Sequence, residues 1–288
     1  MDHISTYSSI YDNVFCKTFN QSCYIFLCGG ADKNNIRNSV KNLLSKKQFQ
    51  ILYPEDLFME MLNRDKRSDL LEYENFLADN ADVICIICES MGSAVELGAF
   101  VQNENIRKKL VVAINQKYSR DKSFIMMGPV KHLCKNHPGH LVTYKPDHQE
   151  ELVGSLSKLF RKLHKRHRGN KNNNFSELSA YIAFIPIIIY FYKTVGRKEL
   201  HKNLKAFLNH KGMQTNKYNE LFNVAIKYLL KTNVLVTRFD QNKSDSIISL
   251  SGKGYQKIQL TLKNSTAIEK TLLHDRIRCD ILKEQLNN

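Results

Sequence analysis

Ala81-Asp-Val-Ile-Cys-Ile-Ile-Cys-Glu-Ser-Met-Gly-Ser-Ala-Val-Glu-Leu-Gly-Ala-Phe100 is the stretch whose reading decides the fold. Val83 to Cys88 is an apolar, β-branched run too short for a helix, the pattern of a strand buried on both faces of a parallel sheet. Glu89 to Ser93 breaks the run with small and polar residues. Val95, Leu97, Ala99 and Phe100 then resume at helical spacing around a single acid, Glu96. A strand, a small-residue turn and a helix start set backbone N–H groups and hydroxyls at the carboxyl edge of a sheet, where open α/β sheets bind ligands. The spacing predicts Glu96 in the first turn of that helix. Taken alone, Glu96 also suits a solvated helix acid, and its neighbours must decide.

Working outward, the segments before and after it alternate in the same way. Ser22–Cys28 reads as a first strand ended by Gly29-Gly30, a pair that permits close approach of a ligand to the backbone. Asn34–Lys47 is an amphipathic helix, Gln50–Tyr53 a second strand, and Pro54-Glu-Asp-Leu-Phe58 a helix opening. Glu55 and Asp56 there are either helix-start acids or ligand-facing groups. A helix over Ser68–Ala78 carries Glu72 and Glu74. Strands follow at Lys109–Ile114 and Leu141–Tyr144, a loop or short helix at Ser123–Val130, and a long helix at Glu150–His167. Five strands alternating with helices predict a doubly wound parallel sheet of the deoxyribosyltransferase/flavodoxin-like class.

Charge divides the 288-residue chain. Residues 1–157 carry 18 Lys/Arg against 19 Asp/Glu, whereas residues 158–288 carry a net charge of +16. A neutral front and a basic back imply a small-molecule site joined to a module that faces a polyanion. Asn-rich residues 168–176 read as a linker. Beyond it, helices at Leu178–Thr194 (interrupted by Pro186), Lys198–Leu208 and Lys217–Lys231 precede strands at Val234–Phe239 and Ser246–Leu250. That is the order of a winged helix-turn-helix, ending in Leu250-Ser-Gly-Lys-Gly-Tyr255. Lys217, Lys227, Lys231, Arg238 and Lys243 are the candidate phosphate contacts, unless the same fold serves protein contacts instead. The domains expected are an arm at 1–20 without clear period, a catalytic domain at 21–167, the linker, and a basic domain at 177–288.

Seven cysteines, an odd number lying partly in strand-like runs, imply a reducing compartment. Cys85 and Cys88 point to opposite strand faces and read as packing, so no metal is expected. The N-terminus lacks the pattern of a signal peptide, and Ala180–Tyr192 is too short to span a bilayer. A cytoplasmic location without membrane contact is the expectation.

Leu27-Cys-Gly-Gly30, Tyr53-Pro-Glu-Asp-Leu57, Leu71-Glu-Tyr-Glu-Asn-Phe-Leu77, Glu89–Phe100 and Ser123-Phe-Ile-Met-Met-Gly-Pro-Val130 occur in this order. Together with the basic second half, they resemble the nucleoside deoxyribosyltransferase-like effectors of bacterial retrons. The resemblance implies a toxic N-glycosidase of antiphage defence acting on NAD or a related nucleotide. It would need no cofactor and would be inhibited by a complex of retron reverse transcriptase with its multicopy single-stranded DNA (msDNA). It also leaves room for a homo-oligomer. By matching, Glu96 is the nucleophile, Gly92 and Ser93 stand for the transferases' Gly-Thr, and Glu74 lies near their sugar-contacting acid. Gly29, Gly30, Glu55, Asp56 and Ser90 complete the substrate-binding set. Ser90 stands where the transferases hold a base-contacting Asp, which favours a substrate whose base leaves readily, as nicotinamide does. A nucleoside or nucleotide deoxyribosyltransferase and a non-enzymatic DNA-binding regulator are the alternatives.

Overall fold

A computed structural model describes residues 3–19, 22–30, 32, 35–47, 49–53, 80–168, 175–213, 216–241, 244–263 and 270–286. The expected helices at 54–58 and 68–78, with Glu55, Asp56 and Glu74, lie outside these residues, as does Lys243. The chain divides into two compact units, residues 22–171 and residues 1–21 together with 172–288.

The first unit is built on a parallel sheet of five strands in the order β2-β1-β3-β4-β5. They are β1 (Tyr24–Cys28), β2 (Gln50–Leu52), β3 (Val83–Cys88), β4 (Leu110–Asn115) and β5 (Leu141–Tyr144). All five residues of β1 and the first five of β3 and of β4 are buried, as their unbroken apolar runs predict for a sheet covered on both faces. Ile25, Leu27, Val83, Cys85, Ile87 and Val111 form one face. It packs against Val40 and Leu44 of a helix at Ile36–Ser45 and against Leu152, Leu156 and Phe160 of one at Gln149–Arg168. A helix at Met91–Phe100 follows β3 and packs on it through the buried Leu97 and Phe100. The strand order reverses between β1 and β3. The chain leaves β1 towards β2 and leaves β3 towards β4, which opens a crevice at their carboxyl ends.

In chain order the α-helices among the described residues are α1 (His3–Ile10), α2 (Cys16–Phe19), α3 (Ile36–Ser45), α4 (Met91–Phe100), α5 (Glu104–Arg107), α6 (Lys131–Asn136) and α7 (Gln149–Arg168). The second unit, to which α1 and α2 belong, also holds α8 (Leu178–Tyr192), α9 (Arg197–His210), α10 (Tyr218–Lys231), α11 (Gly252–Lys263) and α12 (Lys270–Leu286). A second sheet, antiparallel and ordered β6-β8-β7, joins β6 (Thr194–Gly196) to the hairpin of β7 (Leu235–Asp240) and β8 (Asp245–Leu250).

Residues 3–19 are not an irregular arm. α1, a π-helical turn at Tyr11–Phe15 and α2 run on from one another. Tyr7, Ile10, Tyr11, Val14, Phe15 and Phe19 are buried, at three- and four-residue spacing. Ser, Thr and Asn, weak helix formers, fill the positions between them and mask that period. Tyr11 and Phe15 stack on one another and meet Phe175 and Phe184 in an aromatic cluster. α8 is apolar on every side and almost wholly buried, which makes it the centre of this unit.

A buried carboxylate ties the unit's ends to that centre. Glu284 of α12 accepts from Tyr192 OH at 3.0 Å and from Thr6 Oγ1, and lies 3.2 Å from His3 Nδ1. Burial pushes the Tyr192 phenol above its ordinary range, so it remains a donor. Ser251 begins α11 by accepting from Gly254 N–H at 2.9 Å. Gly254 admits no side chain, since a Cβ there would stand 2.0 Å from the Val234 carbonyl oxygen. Among the described residues no helix is long and apolar enough to cross a membrane. All seven cysteines are free thiols. Glu284→Ala strands two buried hydroxyls at once; chemical denaturation should show a loss of about 3 kcal/mol.

Candidate active site

The two loops of the crevice are built differently. After β1, Gly29 has φ +149°, and a Cβ on it would lie 3.0 Å from the Ile87 carbonyl oxygen of β3 and 3.1 Å from Arg37 Cδ. A Cβ on Gly30 would lie 2.0 Å from the Asn35 side-chain amide. Gly29 is therefore required by its positive φ and by the close passage of the turn beside β3, whereas a side chain at Gly30 would have to displace the Asn35 amide.

The turn leads into α3, whose N-cap residue Asn35 makes no side-chain capping bond. Glu89, from the end of β3, takes that place: Ile36 N–H donates to its Oε2 at 2.9 Å and Arg37 N–H to its Oε1 at 3.2 Å. An acid contributed by another strand thus occupies the anion-binding position of the first βα turn. Arg37 is buried, with its guanidinium 4.4 Å above the centre of the Tyr53 ring, and Tyr53 OH donates to Asn38 Oδ1 at 2.8 Å. Sequence reading missed both Arg37 and Glu89. A buried Arg inside an amphipathic helix is the signal that marks the first. The second is set by a contact between distant segments.

After β3, Ser90 caps α4 reciprocally with Ser93. Ser93 N–H donates to Ser90 Oγ at 3.2 Å, while Ser93 Oγ receives the N–H groups of Glu89 and Ser90 at 3.2 and 3.0 Å. Ser93 is 1 % exposed, so its hydroxyl is committed to the turn, whereas Ser90 stays half-buried at the crevice. Cys88 shares this turn; burial raises its thiol pKa and a hydrogen bond from Ser93 partly offsets the rise.

The capping box moves Glu96. With Met91 as the first helical residue, Glu96 is the sixth and lies in the second turn, not the first as its spacing had predicted. It follows Gly92 by four residues and Ser93 by three, so all three share one side of α4, with Cβ neighbours about 5–6 Å apart. Helical side chains lean towards the N-terminus, which brings the half-buried Glu96 back over Gly92. Among the described residues, a Cβ at Gly92 would meet Ser90 Oγ alone, at 3.9 Å, so the first turn of α4 is uncrowded at that position. At the same sheet edge, Tyr144 ends β5. Its phenol pKa is pushed up to about 12, first by burial and then by the negative charge of Glu89, which keeps it a donor at neutral pH.

The structure thus brings Gly29, Gly30, Ser90, Gly92, Ser93 and Glu96 to the reversal point of the sheet. The basic candidates are more dispersed. Lys217 precedes α10 and Lys231 ends it, about 21 Å apart along a helix of this length. Lys227 lies one turn before Lys231, and Arg238 is exposed on β7. On the outer side of α10, Asn219 Oδ1 lies 2.9 Å from His201 Nε2, and Asn223 Oδ1 accepts from Arg197 at 2.8 Å. The hairpin is fixed to α9 by Asp245, whose Oδ2 accepts from Lys198 N–H at 3.0 Å.

Comparison with known proteins places these features in context. Among the similar proteins are two from Escherichia coli retrons, each named as a candidate ribosyltransferase/DNA-binding protein. The protein of retron Ec86 is 38 % identical over 152 residues, covering 52 % of this chain and 50 % of its own length. That of retron Ec73 is 37 % identical over 133 residues, covering 42 % of each. The chain thus spans about half the length of the curated relatives it matches. Residues 33–246, which take in β3, α4 and β7, match the family described as STM3845 retron effector protein, and the chain belongs to that family.

Proposed function

We propose that this retron effector is an N-glycosidase of deoxyribosyltransferase-like type, cleaving the glycosidic bond of NAD or a related nucleotide with Glu96 as its nucleophile. The observation that carries the reading is Glu96 on α4, one helical turn after Gly92, at the carboxyl edge where the sheet reverses. The ribosyltransferase name borne by the two Escherichia coli relatives supports the same class of chemistry.

In this reaction the bond between the anomeric carbon and the base nitrogen breaks, and its electron pair stays with the base. Positive charge develops on the sugar ring, where a carboxylate stabilises it or bonds to the anomeric carbon. Water then attacks that carbon, releases the carboxylate and loses a proton. Nicotinamide leaves as a neutral ring without needing an acid, which agrees with Ser90 at the base-side position. Gly29 and Gly30 let the substrate approach the backbone, Ser90 and Gly92 border it, and Ser93 holds the turn. Glu55, Asp56 and Glu74 remain candidates for the sugar hydroxyls.

The second unit is read as a winged helix. α8, β6, α9, α10 and the β7–β8 hairpin follow one another in that order, and the three strands form one sheet. With Lys217, Lys227, Lys231, Arg238 and Lys243 it would engage the retron's msDNA, with reverse transcriptase as protein partner, in a complex that restrains the toxin. The DNA-binding part of the relatives' names supports this assignment. Transfer of the sugar to a second base, rather than to water, is the alternative outcome that their ribosyltransferase name keeps in view.

Glu96→Gln should lower NAD or nucleotide cleavage about a thousandfold or more, with the thermal transition unchanged. Quantifying nicotinamide and free bases by mass spectrometry checks this. Intact NAD and nucleotides with the unmodified, inhibitor-free protein would defeat the reading, and labelled base exchange would redirect it to transfer. For the second unit, the affinity for msDNA should fall steeply with salt. Arg238→Ala should reduce the slope of log K against log [salt] by about 1, measured by fluorescence anisotropy.

A further inference from the structure

At the opposite edge of the sheet, three side chains from distant segments converge. Cys23 immediately precedes β1, Asp82 immediately precedes β3, and His164 lies in the second half of α7. All three are buried, at 5 %, 2 % and 8 % exposure, and their Sγ, carboxylate oxygen and ring nitrogen lie within 4.8 Å of one another. We propose that Cys23, Asp82 and His164 bind a zinc ion at the amino edge of the sheet.

The geometry fits metal ligation better than a hydrogen bond. His164 Nδ1 and Asp82 Oδ2 are 3.5 Å apart, outside the 2.7–3.2 Å range of an N–H···O bond. Among the described residues neither ring nitrogen of His164 has a hydrogen-bond partner, although the residue is more than nine-tenths buried. With metal–nitrogen and metal–oxygen bonds of about 2.1 Å, a tetrahedral site sets its ligand atoms roughly 3.4 Å apart. The His164–Asp82 separation already has that length, and the thiol needs to close by no more than about 1 Å. Asp82 is held for the task, since Tyr24 N–H donates to its Oδ2 at 2.8 Å and Asp82 N–H donates to the Tyr24 carbonyl at 2.9 Å. Such outer bonds orient a ligating carboxylate. A thiolate, an imidazole and a carboxylate make a donor set for zinc rather than for calcium or magnesium.

The place defines the role. A strand of five or six residues separates this cluster from the Glu96 crevice by roughly 17–20 Å, so the ion takes no part in glycosidic chemistry. It joins β1, β3 and α7, three elements that are far apart in sequence. Binding requires loss of the Cys23 thiol proton, so affinity falls on acidification.

The test uses the full chain, purified without chelator. Elemental analysis should find about one zinc per chain, and dialysis against a chelator should lower the thermal transition until zinc is returned. Cobalt substitution should give tetrahedral d–d bands and a thiolate-to-cobalt charge-transfer band. The charge-transfer band should vanish in the near-isosteric Cys23→Ser, and metal content should drop about tenfold or more in His164→Ala. The proposal is overturned if the chain carries no zinc and its thermal transition ignores added zinc. It is overturned equally if the charge-transfer band survives in Cys23→Ser, which would place the metal at another cysteine. If His164→Ala does not fold, the serine variant alone decides.

Discussion

The carboxylate of Glu89 holds the crevice together. α3 begins after a turn whose own cap residue, Asn35, supplies no side-chain bond, so its first N–H groups would otherwise lack protein partners. Glu89 reaches across from β3 to accept two of them, which fastens the first crossover to the strand on the other side of the sheet's reversal point. The contact also has a chemical consequence. Helix N-termini after a glycine turn attract phosphate through the same N–H groups. Here the protein's own acid fills that position, and a substrate phosphate reaching it must displace Glu89 or be held elsewhere.

The same acid bears on the second loop. Its N–H donates to Ser93 Oγ, so Glu89 belongs at once to the cap of α3 and to the start of α4. The reciprocal Ser90–Ser93 bonds then decide where α4 begins, and the start of α4 decides that Glu96 stands in its second turn. Shifting Glu96 by one position along α4 would rotate it by about 100° around the helix. The placement of the candidate nucleophile therefore depends on two serines whose work is conformational. That accounts for a buried Ser93 inside a motif that sequence reading had assigned to the substrate.

How much could be read in advance follows the range of the interactions. β3 and β4 were legible to within about a residue, because a doubly buried strand needs an unbroken apolar run and little else in the chain offers one. β6 was not legible: the expected helix runs on to Thr194, its first residue, and takes in neither Val195 nor Gly196. It is only three residues long and owes its existence to β8, its partner in the sheet. The helices at 3–19 were hidden by polar fillers between correctly spaced aromatic residues. Glu96 and the two glycines were visible in local motifs, but the Glu89 cap and the meeting of Cys23 with Asp82 and His164 were not. Those arise only when the parallel crossovers bring the two ends of β1 and β3 side by side.

That adjacency has different results at the two ends of the same strand pair. At the carboxyl ends the crossovers diverge, leaving a crevice that small residues keep open and Glu89 braces. At the amino ends the chain enters both strands side by side, beneath α7, and polar side chains there are buried rather than solvated. Burying a carboxylate, a thiol and an imidazole together is costly unless each finds a partner. The Tyr24 amide serves Asp82, but among the described residues the two ring nitrogens of His164 find no hydrogen-bond partner. Three apolar side chains would complete the core at lower cost. Retaining three metal-binding groups there is the pattern expected when a cation supplies the missing partner.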